Sequence, residues 1–281
     1  MTLFAILTAT LAAGIGSVWL AAGLMRMGLA AGSGGGRVHA EHLLSLAAGA
    51  LMATSFMHLL PEAFESEAAP KALFATLLVG LVFFFLLDKA ELWHHGHEHH
   101  HPAHGPSDGH ADRHHAVHAH AEPALGPAGA PSRAGGWAVL TGDSVHCFGD
   151  GILIASAFIA DMRLGMVAAL AVLAHEVPHH IGDLVVLQRA SRNRGAALLK
   201  VSLAGAVTAL GGITGWWLLD QLRGWLPYFL VAASSSFIYV ALADLVPQLQ
   251  KRLSARETLA QIFWLLVGIA LVTVVSSFAQ G

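Results

Sequence analysis

Two clusters of metal-type side chains interrupt apolar stretches between His146 and Asp183. The first is His146-Cys147-Phe148-Gly149-Asp150-Gly151. The second is His175-Glu176-Val177-Pro178-His179-His180-Ile181-Gly182-Asp183. Residues four apart share one face of a helix, so His146 stacks on Asp150, His175 on His179 and Asp183, and Glu176 on His180. Imidazole nitrogen, carboxylate oxygen and a thiol suit zinc and its first-row neighbours better than magnesium or calcium. Ionisable groups inside a bilayer are costly and face a bundle interior, where they mark an ion or substrate path. The pair of segments therefore reads as a divalent-metal site at membrane depth.

The elements that must hold these clusters are apolar helices. The chain has 281 residues, of which 55% are hydrophobic and 12% charged; soluble domains carry about twice that charged share. Eight segments are long enough to cross a hydrocarbon core, near 3–25, 43–64, 72–92, 137–160, 165–188, 196–219, 225–247 and 258–279. The fold class expected is an all-α membrane protein of eight spans, treated as one transmembrane domain over 1–281. The single cysteine, Cys147, excludes an intrachain disulfide framework. Met1 precedes the first apolar run without a Lys or Arg, which reads as a span rather than a signal peptide.

Charge placement sets the expected orientation. With the amino terminus outside, cytoplasmic loops hold Arg26, Arg37, Lys89, Arg113, Arg133, Arg189, Arg192, Arg194, Lys200, Lys251, Arg252 and Arg256. External loops hold only Lys71, Arg163 and Arg223. By the positive-inside rule both termini lie outside. Trp93, Trp137 and Trp225 fall at span ends, as interfacial anchors do.

The second span carries Ser55, His58 and Glu62 on one face, with Pro61 beside them. His58 is expected to line a cavity and, with Glu62 at the helix end, to form an entry path. The seventh span ends Asp244-Leu245-Val246-Pro247-Gln248, echoing His58-Leu59-Leu60-Pro61-Glu62. Counted inward from both ends, the spans group as three, two and three, an inverted-repeat arrangement of the kind found in secondary transporters. Between the third and fourth spans, residues 93–136 hold 12 histidines among Gly, Pro and Ala. That composition predicts a disordered cytoplasmic loop with loose metal binding, including His94, His95, His97, His99, His100 and His101. Gly14, Gly16 and Ser17 in the first span, and Gly211 and Gly215 in the sixth, read as packing. Gly149, Gly151 and Gly182 read as points of close backbone approach around the site. Pro178 should remove one backbone hydrogen bond and distort its helix.

Taken together, these residues resemble the ZIP family of divalent-metal transporters over essentially the whole chain. The features that carry the resemblance are eight spans with both ends outside, the His-rich loop, His58-Leu59-Leu60-Pro61-Glu62-Ala63 and two motifs. His146–Gly151 is similar to that family's HNxxDG, and His175–Asp183 to its HExPHExGD. The resemblance implies transport of Zn2+ or a similar cation (Cd2+, Fe2+ or Mn2+) toward the cytoplasm. It implies ligation by His146, Asp150, His175 and His179, with Glu176 as the shared carboxylate. It also implies a two-part fold in which spans one, four, five and six move against the other four. Cys147 stands where the family has Asn, and His180 where it often has Glu. With no carboxylate within the sixth span to bridge a second ion, one well-formed site is expected, with Cys147, His180 and Asp183 as a secondary group. A thiolate at Cys147 would favour a softer ion.

Asp150 and Glu176 can neutralise a dication in low dielectric while the three histidines donate neutral nitrogens, so binding should release protons. Partners expected are divalent metal ions, the lipid bilayer and a second copy as a homodimer, with no nucleic acid. High Ala and Gly point to a bacterial inner membrane. The competing reading is an enzyme, because His175-Glu176-Val177-Pro178-His179 fits the HExxH signature of zinc metalloproteases. Against it stand Pro178 within the motif and a second cluster that a single catalytic zinc does not need. A metal sensor would lack a signalling output, and an exporter of the cation-diffusion type would lack its folded tail.

Overall fold

The computed structural model describes residues 2–28, 36–96, 133–191, 193–245 and 254–278, and every regular element among them is helical. Eight helices are long and apolar enough to cross a membrane. Helix α1 runs Thr2–Leu11, through a π turn Ala12–Gly16, to Ser17–Arg26. Helix α2 comprises Gly36–Thr54, a π turn Ser55–Leu59 and Leu60–Phe64. Helices α3 (Pro70–Gly96), α4 (Arg133–Ala160), α5 (Met162–Ser191) and α6 (Arg194–Gln221) follow. Helix α7 is Leu226–Tyr239 closed by a π turn Val240–Leu245, and α8 is Ala255–Phe278. Helical residues reach into the expected 93–136 loop from both sides, through Gly96 and from Arg133. His94 and His95 lie on the last turn of α3, whereas His97, His99, His100 and His101 lie outside the described residues.

Burial separates inner from outer helices. Helices α2, α5 and α7 bury most of their spans, whereas α3 and α8 expose apolar side chains such as Phe74, Phe83, Phe263 and Leu266. In a bilayer those side chains meet lipid, so an apolar exterior needs no further protein partner. Helix α1 packs on α5 and α6, and α4 lies along both α5 and α6. On the other side α2 lies along α8 and α3 along α7, with α2 and α7 in contact. The two groups meet where α2 crosses α5.

Small residues set the closest approach. A Cβ at Gly151 would strike the carbonyl of Thr208, and one at Gly211 the carbonyl of Phe148, so α4 and α6 touch backbone to backbone. Gly149 and Gly182 differ from their expected role, because a side chain there would meet open space. Pro178 lies inside its helix and withholds one backbone donor, as expected. Helix α5 continues through it as one α-helix.

Candidate metal centre

The centre is built on the α4–α5 hairpin, whose connection is Asp161 alone. Asp161 Oδ1 accepts the backbone N–H groups of Arg163 and Leu164 at 2.8 and 3.3 Å, capping α5 as soon as α4 ends. So tight a turn makes the helices antiparallel neighbours and brings their polar faces together. On α4, Asp143 and Cys147 form one four-residue pair and His146 and Asp150 another, offset by three positions on a common face. On α5, Glu176 pairs with His180 and His175 stands beside Glu176.

Four of the five expected ligands converge. One donor atom from each of His146, Asp150, His175 and Glu176 lies within 4.8 Å of the other three. His175 Nε2 is 3.1 Å from Asp150 Oδ2 and 3.5 Å from Glu176 Oε1. His146 Nε2 is 3.8 Å from Asp150 Oδ2, 3.3 Å from Glu176 Oε1 and 3.3 Å from His175 Nε2. Zinc bonds of about 2.0–2.1 Å in tetrahedral array hold nitrogen and oxygen ligands about 3.3–3.4 Å apart, so these separations bracket the edges of such a site. His179 is set beside this group, its ring centroid 5.6 Å from His146 and 5.9 Å from His175, without a donor atom in the four.

A second group of ligand-type side chains adjoins the first, built around Cys147 and His180 of the expected secondary group. Asp143, Cys147, Glu176 and His180 also place donor atoms within 4.8 Å of one another. His180 Nε2 is 3.1 Å from Glu176 Oε2 and 3.6 Å from Asp143 Oδ1. Cys147 Sγ is 3.7 Å from Asp143 Oδ1 and 3.8 Å from Glu176 Oε2. Zinc–thiolate bonds of about 2.3 Å lengthen such edges to about 3.6 Å. Glu176 joins the groups by giving Oε1 to the first and Oε2 to the second. The bridging carboxylate thus comes from α5, and the sixth span is not needed for it. Asp183 belongs to neither group of four.

Hydrogen bonds outside the groups fix the imidazoles. His175 Nδ1 donates to the Ala171 carbonyl at 3.1 Å, which leaves the neutral ring a lone pair at Nε2, facing Asp150 and Glu176. Ser17 Oγ donates its one proton to the Gly14 carbonyl at 2.7 Å, so its 2.9 Å contact with His180 is donated by His180 Nδ1. His180 Nε2 then faces Glu176 and Asp143 as an acceptor. Asp150 Oδ2, Glu176 Oε1 and His180 Nε2 are enclosed with no hydrogen-bond partner. With both rings neutral, acceptors face acceptors across 3.1 Å, and each buried charge costs several kcal/mol unless compensated. A cation between them removes the conflict.

Asp143 and Ser17 were not among the expected site residues. Extending the four-residue spacing one turn back from Cys147 finds Asp143. Nothing in the first span singles out Ser17, because its role depends on α1 lying against α5.

His58 and Glu62, expected to form an entry path, lie apart from both groups. His58 and Glu62 line a cavity of about 200 Å³ with Glu65, Asp161, Arg163 and Ser276. His58 Nε2 is buried there without a hydrogen-bond partner, while Glu62 is exposed.

A family model described as ZIP Zinc transporter matches residues 1–276. The chain belongs to the ZIP zinc transporter family. Human zinc transporter ZIP13 is 27% identical over 291 residues, covering 91% of this chain and 76% of that protein. The ZIP13 homolog of Drosophila melanogaster is 31% identical over 152 residues, covering 52% and 42%. Human zinc transporter ZIP4 is 35% identical over 116 residues, covering 40% and 17%. ZIP membership makes the chain an integral membrane transporter and not an enzyme. The geometry of HExxH agrees. His175 and His179 do not share one ligand group, and Glu176 lies within both groups instead of serving as a base beside one zinc.

Proposed function

We propose that the protein carries Zn2+ across the membrane toward the cytoplasm, loading it at His146, Asp150, His175 and Glu176. The observation that carries this reading is the convergence of the enclosed Asp150 Oδ2 and Glu176 Oε1 with the Nε2 atoms of His146 and His175, all within 4.8 Å of one another. His179 closes the rim of that site. Asp143, Cys147 and His180 offer a second position through the shared Glu176, and the thiol there extends the cargo to softer ions such as Cd2+.

Direction follows from charge. The loops expected outside carry Glu62, Glu65, Glu67, Asp161 and Asp220, and those expected inside carry twelve of the fifteen Lys and Arg. A dication collects at the acidic face, where His58 and Glu62 line the vestibule, and the positive-inside rule makes that face external. Both termini then lie outside, and the segment rich in histidine receives ions on the cytoplasmic side. A bacterial inner membrane has only the Ala- and Gly-rich composition in its support.

The contacts favour a three, two and three inverted repeat. Exchanging the second span for the seventh and the third for the eighth turns the α2–α8 packing into the α7–α3 packing. The π turns Ser55–Leu59 and Val240–Leu245 occupy matching places in the two echoing segments. All ligands come from α4 and α5, and α1, α4, α5 and α6 pack as a group. Alternating access follows if that group shifts against the others and takes the ion with it.

The test is Zn2+ flux into proteoliposomes containing purified protein, compared with His146→Ala and His175→Ala. Loss of flux in both variants, with unchanged elution as folded protein, is the expected result. Wild-type rates in either would remove the site assignment.

A further inference from the structure

A second cavity of about 200 Å³ lies away from the metal centre, where the ends of α1, α5 and α6 meet. Its polar lining is Arg26, Gln188 and Arg194, and its apolar floor includes Met25, Leu184 and Leu198. We propose that it is a binding site for a phosphate-bearing anion at the level of the membrane headgroups. The two guanidinium groups come from different helices, Arg26 closing α1 and Arg194 opening α6. Among the described residues neither arginine makes an ion pair with a carboxylate, so two positive charges face one cavity without an anion.

The depth of the cavity suits a phospholipid. Arg26 is the last residue of one apolar span and Arg194 the first of another, which places both at the boundary between hydrocarbon and headgroup. By the positive-inside rule that boundary faces the cytoplasmic leaflet. Basic pockets between transmembrane helices at this level hold anionic headgroups. Arginine is suited to the task because its planar fork meets two phosphate oxygens at once. Gln188 adds an uncharged donor from α5. Leu184 is buried and the floor belongs to a packed cluster with Val18, Ala197 and Val201, so the site is floored by rigid packing. An anion held here ties α1, α5 and α6 together, three of the four helices that pack around the metal centre. The proposal rests on no property of that centre, so its failure leaves the metal assignment standing.

Thermal unfolding of the purified full-length protein in detergent tests it, with three additions compared: short-chain phosphatidylglycerol, short-chain phosphatidylcholine and inorganic phosphate. The expected result is stabilisation by phosphatidylglycerol, with the apparent affinity reduced roughly thirtyfold in Arg26→Gln/Arg194→Gln, the loss expected for two interfacial basic groups. Arg26→Lys/Arg194→Lys should recover part of it and shows that the positions tolerate change. Equal stabilisation by inorganic phosphate supports the site with a free anion as its source, and stabilisation by the lipid alone supports a headgroup. Equal response of wild type and the Gln variant, or of the two lipids, overturns the proposal.

Discussion

The two ligand groups share a carboxylate and a helix pair, yet they differ in access and donor type. The first is built from nitrogen and oxygen alone, and His146 keeps 31% of its side chain exposed. The second includes a thiol, its Cys147 and His180 are fully buried, and it is tied through Ser17 to α1. In the proposed function the first would take up an ion and the second would receive it through Glu176. Two overlapping positions on one seam arise because α4 presents two four-residue pairs three positions apart, and one helix face can hold both.

The largest effect expected is at the atom pair that both groups use. Glu176→Ala should lower Zn2+ flux by at least roughly a hundredfold, the upper end of what loss of an outer partner already costs. Retained binding of one ion, measured by metal content after dialysis, would show that the groups are independent. His175→Ala and Cys147→Ser then separate them. The first should abolish Zn2+ flux, while the second should leave Zn2+ flux within about threefold of wild type and reduce flux of the softer Cd2+ more strongly. Equal loss of both ions in Cys147→Ser would show that the second position is an obligatory stop.

Acidity should act on both positions in the same direction. Protons and a dication compete for the same ligand lone pairs, so Zn2+ Kd should rise by up to roughly tenfold per displaced proton for each unit fall in pH. Calorimetry in buffers of different ionisation enthalpy counts those protons. The smallest effect is expected from Ser17→Ala, which frees His180 Nδ1 and should weaken the second position about tenfold while sparing the first. A matching loss at the first position would mean that α1 supports the whole centre.

The sequence by itself determined the number of spans, because twenty apolar residues per crossing is a requirement of the bilayer and leaves its pattern whatever the packing. It also determined most of the first group, since His146, Asp150, His175 and Glu176 are ligand types held at helical spacing on adjacent helices. That His179 stands beside the group of four and not in it is a matter of three-dimensional placement, which spacing along one helix cannot express. The packing of α4 on α5 likewise set Asp143 and His180 beside each other and His180 beside Glu176 Oε2. Ser17 became an orienting partner only because Gly14 lets α1 approach α6 closely and so rest against α5. The open space at Gly149 and Gly182 likewise depended on neighbours distant in the chain. Local periodicity specifies which face a residue occupies; which faces meet, and at what distance, is a property of the packed bundle.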